Sequence, residues 1–162
     1  MKLAPSNPWI KSTLIFLALL FVIFTLGLIA GLIYSYKIEK YADNQRFKTG
    51  HYPSELPNGQ YKGSWMGKKT TWQGKEFNAA SQSGINNFTD RQKYRFVTSR
   101  ETSLGGEMEV LKIDYNIAGN PWWLRRIVDE VVEVEPGSYQ GKVYVRYVPS
   151  VNFTITYFTL QK

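Results

Sequence analysis

The sequence predicts a mainly β chain: a single N-terminal transmembrane helix, then a small antiparallel β-barrel or sandwich, with one short helix near 121–129. Three observations predict it. Residues 12–36 carry no charge, and their interior, TLIFLALLFVIFTLGLIAGLIY, is almost entirely apolar. Beyond residue 58, runs rich in Val, Ile, Thr, Tyr and Phe are separated by Gly, Pro and Asn, the pattern of short strands joined by turns. One segment, NPWWLRRIVDEVVEVE at 120–135, departs from that pattern with a helical period.

Residues 1–11 form a short tail and 12–36 the transmembrane helix. At about 1.5 Å of rise per residue, such a helix exceeds the ~30 Å hydrocarbon core of a bilayer. A cleaved signal peptide carries an apolar stretch of about 7–15 residues followed by small residues. Here the stretch is longer and ends in YSYKIEKY. Trp9 at one end and Tyr34 with Tyr36 at the other match interfacial aromatic belts. Gly27 and Gly31 form a Gly-x-x-x-Gly step that lets two helices approach, so a homodimer through this helix is an expectation. Lysines and arginines flank both ends in near balance. The short tail favours an extracytoplasmic β domain, periplasmic in a bacterium, while the basic flank after the helix argues the other way.

Charge narrows the partners. Of twenty Lys and Arg and thirteen Asp and Glu, six basic and two acidic residues fall in 1–48, leaving fourteen against eleven beyond. The excess therefore sits beside the membrane, where it suits anionic headgroups, and nucleic acid is not an expected partner. No cysteine is present, which removes disulfides, thiolate nucleophiles and thiolate metal sites.

Residues 37–57 read as a juxtamembrane linker and 58–162 as the β domain. GQYKGSWMG and TTWQGKEF start the β pattern, and polar AASQSGINNFTDRQ reads as a loop or chain of turns. KYRFVTSR, EMEVLKIDYN, VVEVE, GSYQGKVYVRYV and VNFTITYFTLQ follow as strands. Pro136-Gly137 and Pro149-Ser150 sit between strand-like runs at hairpin spacing. Alternation in the last run places Phe153, Ile155, Tyr157 and Thr159 on one face. In the exceptional segment, Trp123, Leu124, Ile127, Val128 and Val131 form an apolar helical stripe, with Asn120 as N-cap and Pro121 as first helical residue. Its arginines precede its acids, against the helix macrodipole, so only tertiary contacts would hold it. Trp123 is expected to be buried and Trp122, beside Arg126, more available.

Two motifs resemble the calycin group of lipocalin-like barrels. Gly63-Ser64-Trp65 is similar to the Gly-x-Trp of a lipocalin's first strand, and Asp114-Tyr115 to the Thr-Asp-Tyr of a later one, with Ile113 in place of Thr. The resemblance implies a small antiparallel barrel, structural roles for Gly63, Trp65 and Asp114, and Arg146 as the arginine that packs on the first-strand tryptophan. The departures are a separation of only about 50 residues between the motifs and a helix-like segment directly after IDYN. Fold-level likeness assigns no ligand.

Catalytic chemistry has few candidates. His51, the single histidine, lies in the linker, away from any base–nucleophile arrangement. Glu133 and Glu135 share a strand face that suits solvent better than a hard cation. Asp114, Asp129 and Glu130 have basic neighbours in Arg125, Arg126 and Lys112. The Gly-x-x-x-Gly-Lys fragments near 63–69 lack the spacing of a phosphate loop. Asn87 and Asn152, each in NFT, are glycosylation acceptors only in a eukaryotic secretory route. No catalytic residue, metal or cofactor is assigned, and the balance leans away from an enzyme. The first expectation is a membrane-tethered binding module for a lipophilic or other small ligand, lined by Trp65, Trp72, Tyr115, Trp122, Arg126 and Tyr157, with Tyr94, Trp123 and Phe158 as further candidates. The alternative is an assembly subunit that docks on another membrane protein through the tryptophans and arginines of 122–126.

Overall fold

The computed structural model describes residues 8–68 and 70–162. Two units are distinguished, one running to Ile33 and the other from Tyr34 to Lys162. The first is most of α1 (Pro8–Ile38), an uninterrupted 31-residue helix. Its large side chains between Trp9 and Ile33 are mostly exposed. The helix is long and apolar enough to cross a bilayer.

The second unit is a closed antiparallel barrel of eight strands in chain order: β1 (Gly59–Ser64), β2 (Trp72–Asn78), β3 (Ser83–Phe88), β4 (Gln92–Thr102), β5 (Glu109–Asp114), β6 (Ile127–Glu135), β7 (Ser138–Val148) and β8 (Val151–Gln161). Of the two β architectures left open by the sequence, the chain takes the barrel. Closure comes from β1 on β8, with Gly63 opposite Leu160 and Ser64 opposite Thr159, so each of the eight strands has a neighbour on both sides. The β6–β7 hairpin turns at Pro136-Gly137, where Gly137 takes a φ of +74°. Two glycines make room for rings across a strand pair. Gly141 faces Phe158 and Gly84 faces Phe96, and a Cβ at either would lie 2.1 or 2.3 Å from the ring.

One part of the interior is filled. Tyr61 meets Phe77 and Tyr139 edge-on at 5.7 and 5.4 Å, and Phe77 meets Phe96 at 5.3 Å, with Leu111, Val131 and Leu160 completing that core. A second cluster lies on the outside of the wall, where Val110, Val132 and Tyr157 are buried with Ile38 and Phe47. Its cover is α2 (Ala42–Thr49), which falls in the segment read as a linker. The Glu39 carboxylate accepts from Lys142 and Thr154 at 2.6 Å each, and Asn44 accepts from the Tyr157 hydroxyl at 2.8 Å. Tyr34 and Ser35, at the end of α1, donate to the Ile155 and Thr154 carbonyls.

Two local expectations are corrected, and the short helix is found in a reduced form. Polar SGINNF is a strand, β3, paired on both sides, because neighbouring backbones supply its hydrogen bonds and Asn86 is satisfied inside the barrel. The helix near 121–129 is a single 3-10 turn, Leu124–Arg126, and β6 begins at Ile127. A strand buried on both faces presents apolar residues at positions that also fit a helical stripe. Arg125 donates to Asn116 and Arg126 to the Tyr147 carbonyl. Asn120 caps nothing and instead donates to the Arg95 and Tyr115 carbonyls. In β8 the register slips between Val143 and Tyr144, leaving Ile155 as an extra residue. The bulge breaks the alternation, so Ile155 faces inward while Tyr157 faces α2.

Candidate functional site

Beside the filled core the barrel holds a cavity of about 350 Å³. Its floor is polar. A register slip between Trp72 and Gly74, where Gly74 takes a φ of +132°, brings Trp72 and Lys75 to the interior side although they are three residues apart. Asn86 arrives from β3 at a second slip. Tyr115 continues the inward alternation of Leu111 and Ile113, and Asp129 that of Ile127 and Val131.

Lys75 is 2% exposed. Its ammonium donates to Asn86 Oδ1 and Asp129 Oδ2 at 2.9 Å each, and to the Tyr115 hydroxyl oxygen. Tyr115 donates its own proton to Asp129 Oδ2 at 2.8 Å, and Trp72 Nε1 donates to Asn86 Oδ1 at 3.0 Å. The rings of Trp72, Phe96, Tyr115 and Phe158 surround the ammonium, with centroids 5.1–5.5 Å away, close enough for cation–π attraction. Burial pushes the Lys75 amine below its ordinary value, and the Asp129 carboxylate opposes that shift. Burial also raises the Tyr115 phenol well above its usual range, reinforced by the charge on Asp129. An isolated buried charge is costly, so a paired, hydrogen-bonded arrangement is the form in which these residues tolerate the interior.

The walls are apolar: Phe88, Tyr94, Ile127, Val143, Ile155 and Phe158. Trp65 and Trp123, 41% and 47% exposed, line the cavity and reach solvent. Trp65 crosses Trp72 edge-on at 6.4 Å and donates to Thr156 at 2.6 Å, while Trp123 crosses Tyr94 at 5.8 Å. Such a site suits a mostly apolar molecule that places one polar group on the floor.

Of the six ligand candidates from the sequence, the structure brings Trp65, Trp72 and Tyr115 together. Trp122 is 76% exposed and outside the lining, Arg126 is on the surface, and Tyr157 is behind the wall on Asn44. Trp123 is half-exposed at the rim, not buried. Among the structural candidates, Gly63 lies against the Trp72 indole, 2.4 Å from where its Cβ would be. Arg146 donates to Asp114 at 2.8 Å, so its partner is that carboxylate and not Trp65. Gly27 and Gly31 lie one turn apart on α1.

Asp114, Asp129 and Glu130 face different surroundings. Asp129 points inward. Glu130 points outward, accepting from Ser103 and Leu104 at 2.6 Å, and burial raises its pKa against those bonds. Asp114 is held below the carboxylate range: burial raises it, and Arg146, the Asn116 backbone and Lys112 outweigh that. Glu133 caps the segment at Ser54 through two bonds and accepts from Gly137. Sequence reasoning missed Lys75, Asn86 and the cavity role of Asp129. The available signal was Lys75 in phase with Phe77 on an otherwise inward face.

No family model matches the chain, and neither the curated proteins nor the solved structures give a match. The closed eight-stranded antiparallel barrel is compatible with a calycin-like architecture.

Proposed function

We propose that this protein is a membrane-anchored, calycin-like binding module that holds a lipophilic small molecule in the cavity above Lys75. The observation that carries the reading is an interior packed with rings in one part and left as an aromatic-walled cavity of about 350 Å³ in the other. Small eight-stranded barrels have room for one such ligand, and the hydrogen bonds among Lys75, Asn86, Tyr115 and Asp129 tie the floor together. Anchoring is supported by the exposed apolar length of α1.

The test is equilibrium binding of the uncharged fluorophore N-phenylnaphthylamine to the full chain in phosphatidylcholine nanodiscs, corrected with empty nanodiscs. Saturable fluorescence, abolished by filling the cavity with Val143→Phe at unchanged melting temperature, is expected. A linear response identical to that of empty discs would sink the reading. Exposure of Trp122 favours a second reading, docking on another membrane protein through Trp122 and Arg125. Trp122→Ala separates the two, since it removes a docking contact and leaves fluorophore binding intact.

A further inference from the structure

Resting on the cavity reading above, we infer that the floor selects a neutral ligand whose polar end donates a hydrogen bond, a lipophilic alcohol, and disfavours a fatty carboxylate. The inference follows from an inventory of protons. An ammonium has three N–H groups, and those of Lys75 meet three acceptors, on Asn86, Tyr115 and Asp129. The Tyr115 hydroxyl gives its proton to Asp129, and the Trp72 indole gives its own to Asn86. Both amide protons of Asn86 are directed, to the Tyr94 carbonyl at 2.9 Å and the Tyr115 oxygen at 3.3 Å. Every donor on the floor is therefore spent.

What is left is an acceptor. Among the described residues all donors to the Asp129 carboxylate meet Oδ2, and Asp129, 3% exposed, lines the cavity. Its Oδ1 keeps its lone pairs for a ligand. Charge points the same way, because Lys75 and Asp129 neutralise each other. A carboxylate would lose its hydration against a carboxylate oxygen with no donor to receive it, whereas a hydroxyl meets Oδ1 and brings no charge.

Three ligands of equal chain length test this on the full chain in phosphatidylcholine nanodiscs: dodecanol, its methyl ether and dodecanoate, each displacing N-phenylnaphthylamine. The ether keeps the oxygen and removes the donor. Dodecanol is expected to displace at about tenfold lower concentration than either, the worth of one hydrogen bond to a charged acceptor. In Lys75→Met/Asp129→Leu that advantage is expected to disappear, each ligand being read against the variant's own fluorophore affinity. An ether or a dodecanoate equal to dodecanol in the unmodified protein overturns the inference alone, and needs no variant to fold. An advantage that survives in the double variant also overturns it, since the floor is then not its source. Failure of all three ligands to displace a bound fluorophore overturns the cavity reading and the inference together.

Discussion

Replacing Lys75 by Met leaves Asp129 charged and buried without its partner, a change that costs about 3–5 kcal/mol in comparable interiors. Replacing Lys75 and Asp129 together, by Met and Leu, removes both charges, and most of that loss is expected to return. Chemical denaturation of the two variants and the parent checks this; equal losses would mean that the pair does not act as a unit. Glu130 gives a pH signature of the opposite kind to the usual carboxylate. Its folded pKa is raised above 4.5, so the stabilisation it contributes is full below the unfolded value and fades as pH rises through the folded one. Glu130→Gln keeps an acceptor for Leu104 and a donor for Ser103. Denaturation from about pH 4 to about pH 7 should therefore show the parent losing ground to this variant as pH rises. A constant difference would contradict it. Asp114, shifted downward, behaves in reverse: its contribution is present above 3.8 and is lost as pH falls through the folded value.

Among the elements, α2 has the least sequence signal and a large structural role. Six of its eight residues, ADNQRFKT, are polar, and only Asn44 and Phe47 are buried. Two buried residues give no amphipathic pattern, so the segment reads as a linker until the barrel wall that receives it is known. Phe47→Ala removes a side chain packed in the outer cluster with Val110, Val132 and Tyr157, at an expected loss of about 3–5 kcal/mol. Thermal melting checks it, and a shift no larger than that of an exposed-site control such as Lys48→Ala would show α2 to be peripheral. The misread elements share one cause. β3 carries its polar residues because its neighbours satisfy them, and β6 is buried on both faces because loop and helix cover its outside. Local pattern reports burial, and burial here depends on partners distant in sequence. Lys75 was hidden for the same reason, since a strand lysine ordinarily faces water.

At the scale of the whole molecule, the order of parts was legible: an uncharged stretch long enough for a membrane, then repeated β-rich runs with hairpin turns. Gly63-Ser64-Trp65 and Asp114-Tyr115 pointed to a barrel, and β1 does close against β8 beside Gly63. The cavity was half legible, through Trp65, Trp72 and Tyr115. Its floor was not, because two register slips decide that Lys75 and Asn86 turn inward, and a slip leaves no mark on hydropathy. Anchoring has a direct check. The full chain should stay in the membrane pellet after alkaline carbonate extraction, with an intact mass that includes residues 12–36. A mature mass beginning near Tyr34 would identify a cleaved leader. Since the chain has no cysteine, Ser81→Cys in the exposed β2–β3 turn reports orientation. Labelling by an impermeant maleimide in intact cells is expected for an extracytoplasmic barrel, and protection until lysis would reverse it.

The extra residue of β8 makes two contacts within the second unit. The Ile155 side chain is a piece of the cavity wall, and its carbonyl receives the Tyr34 hydroxyl at 3.1 Å. Mechanically it is a shared pin: a ligand that presses the side chain outward moves the carbonyl, and a helix end that shifts moves the wall. Ordinary strand residues are held by ladder bonds on both sides, but a bulged one is left out of the pairing and gives more readily. One bulged point of the wall is thus the one fastened to Tyr34.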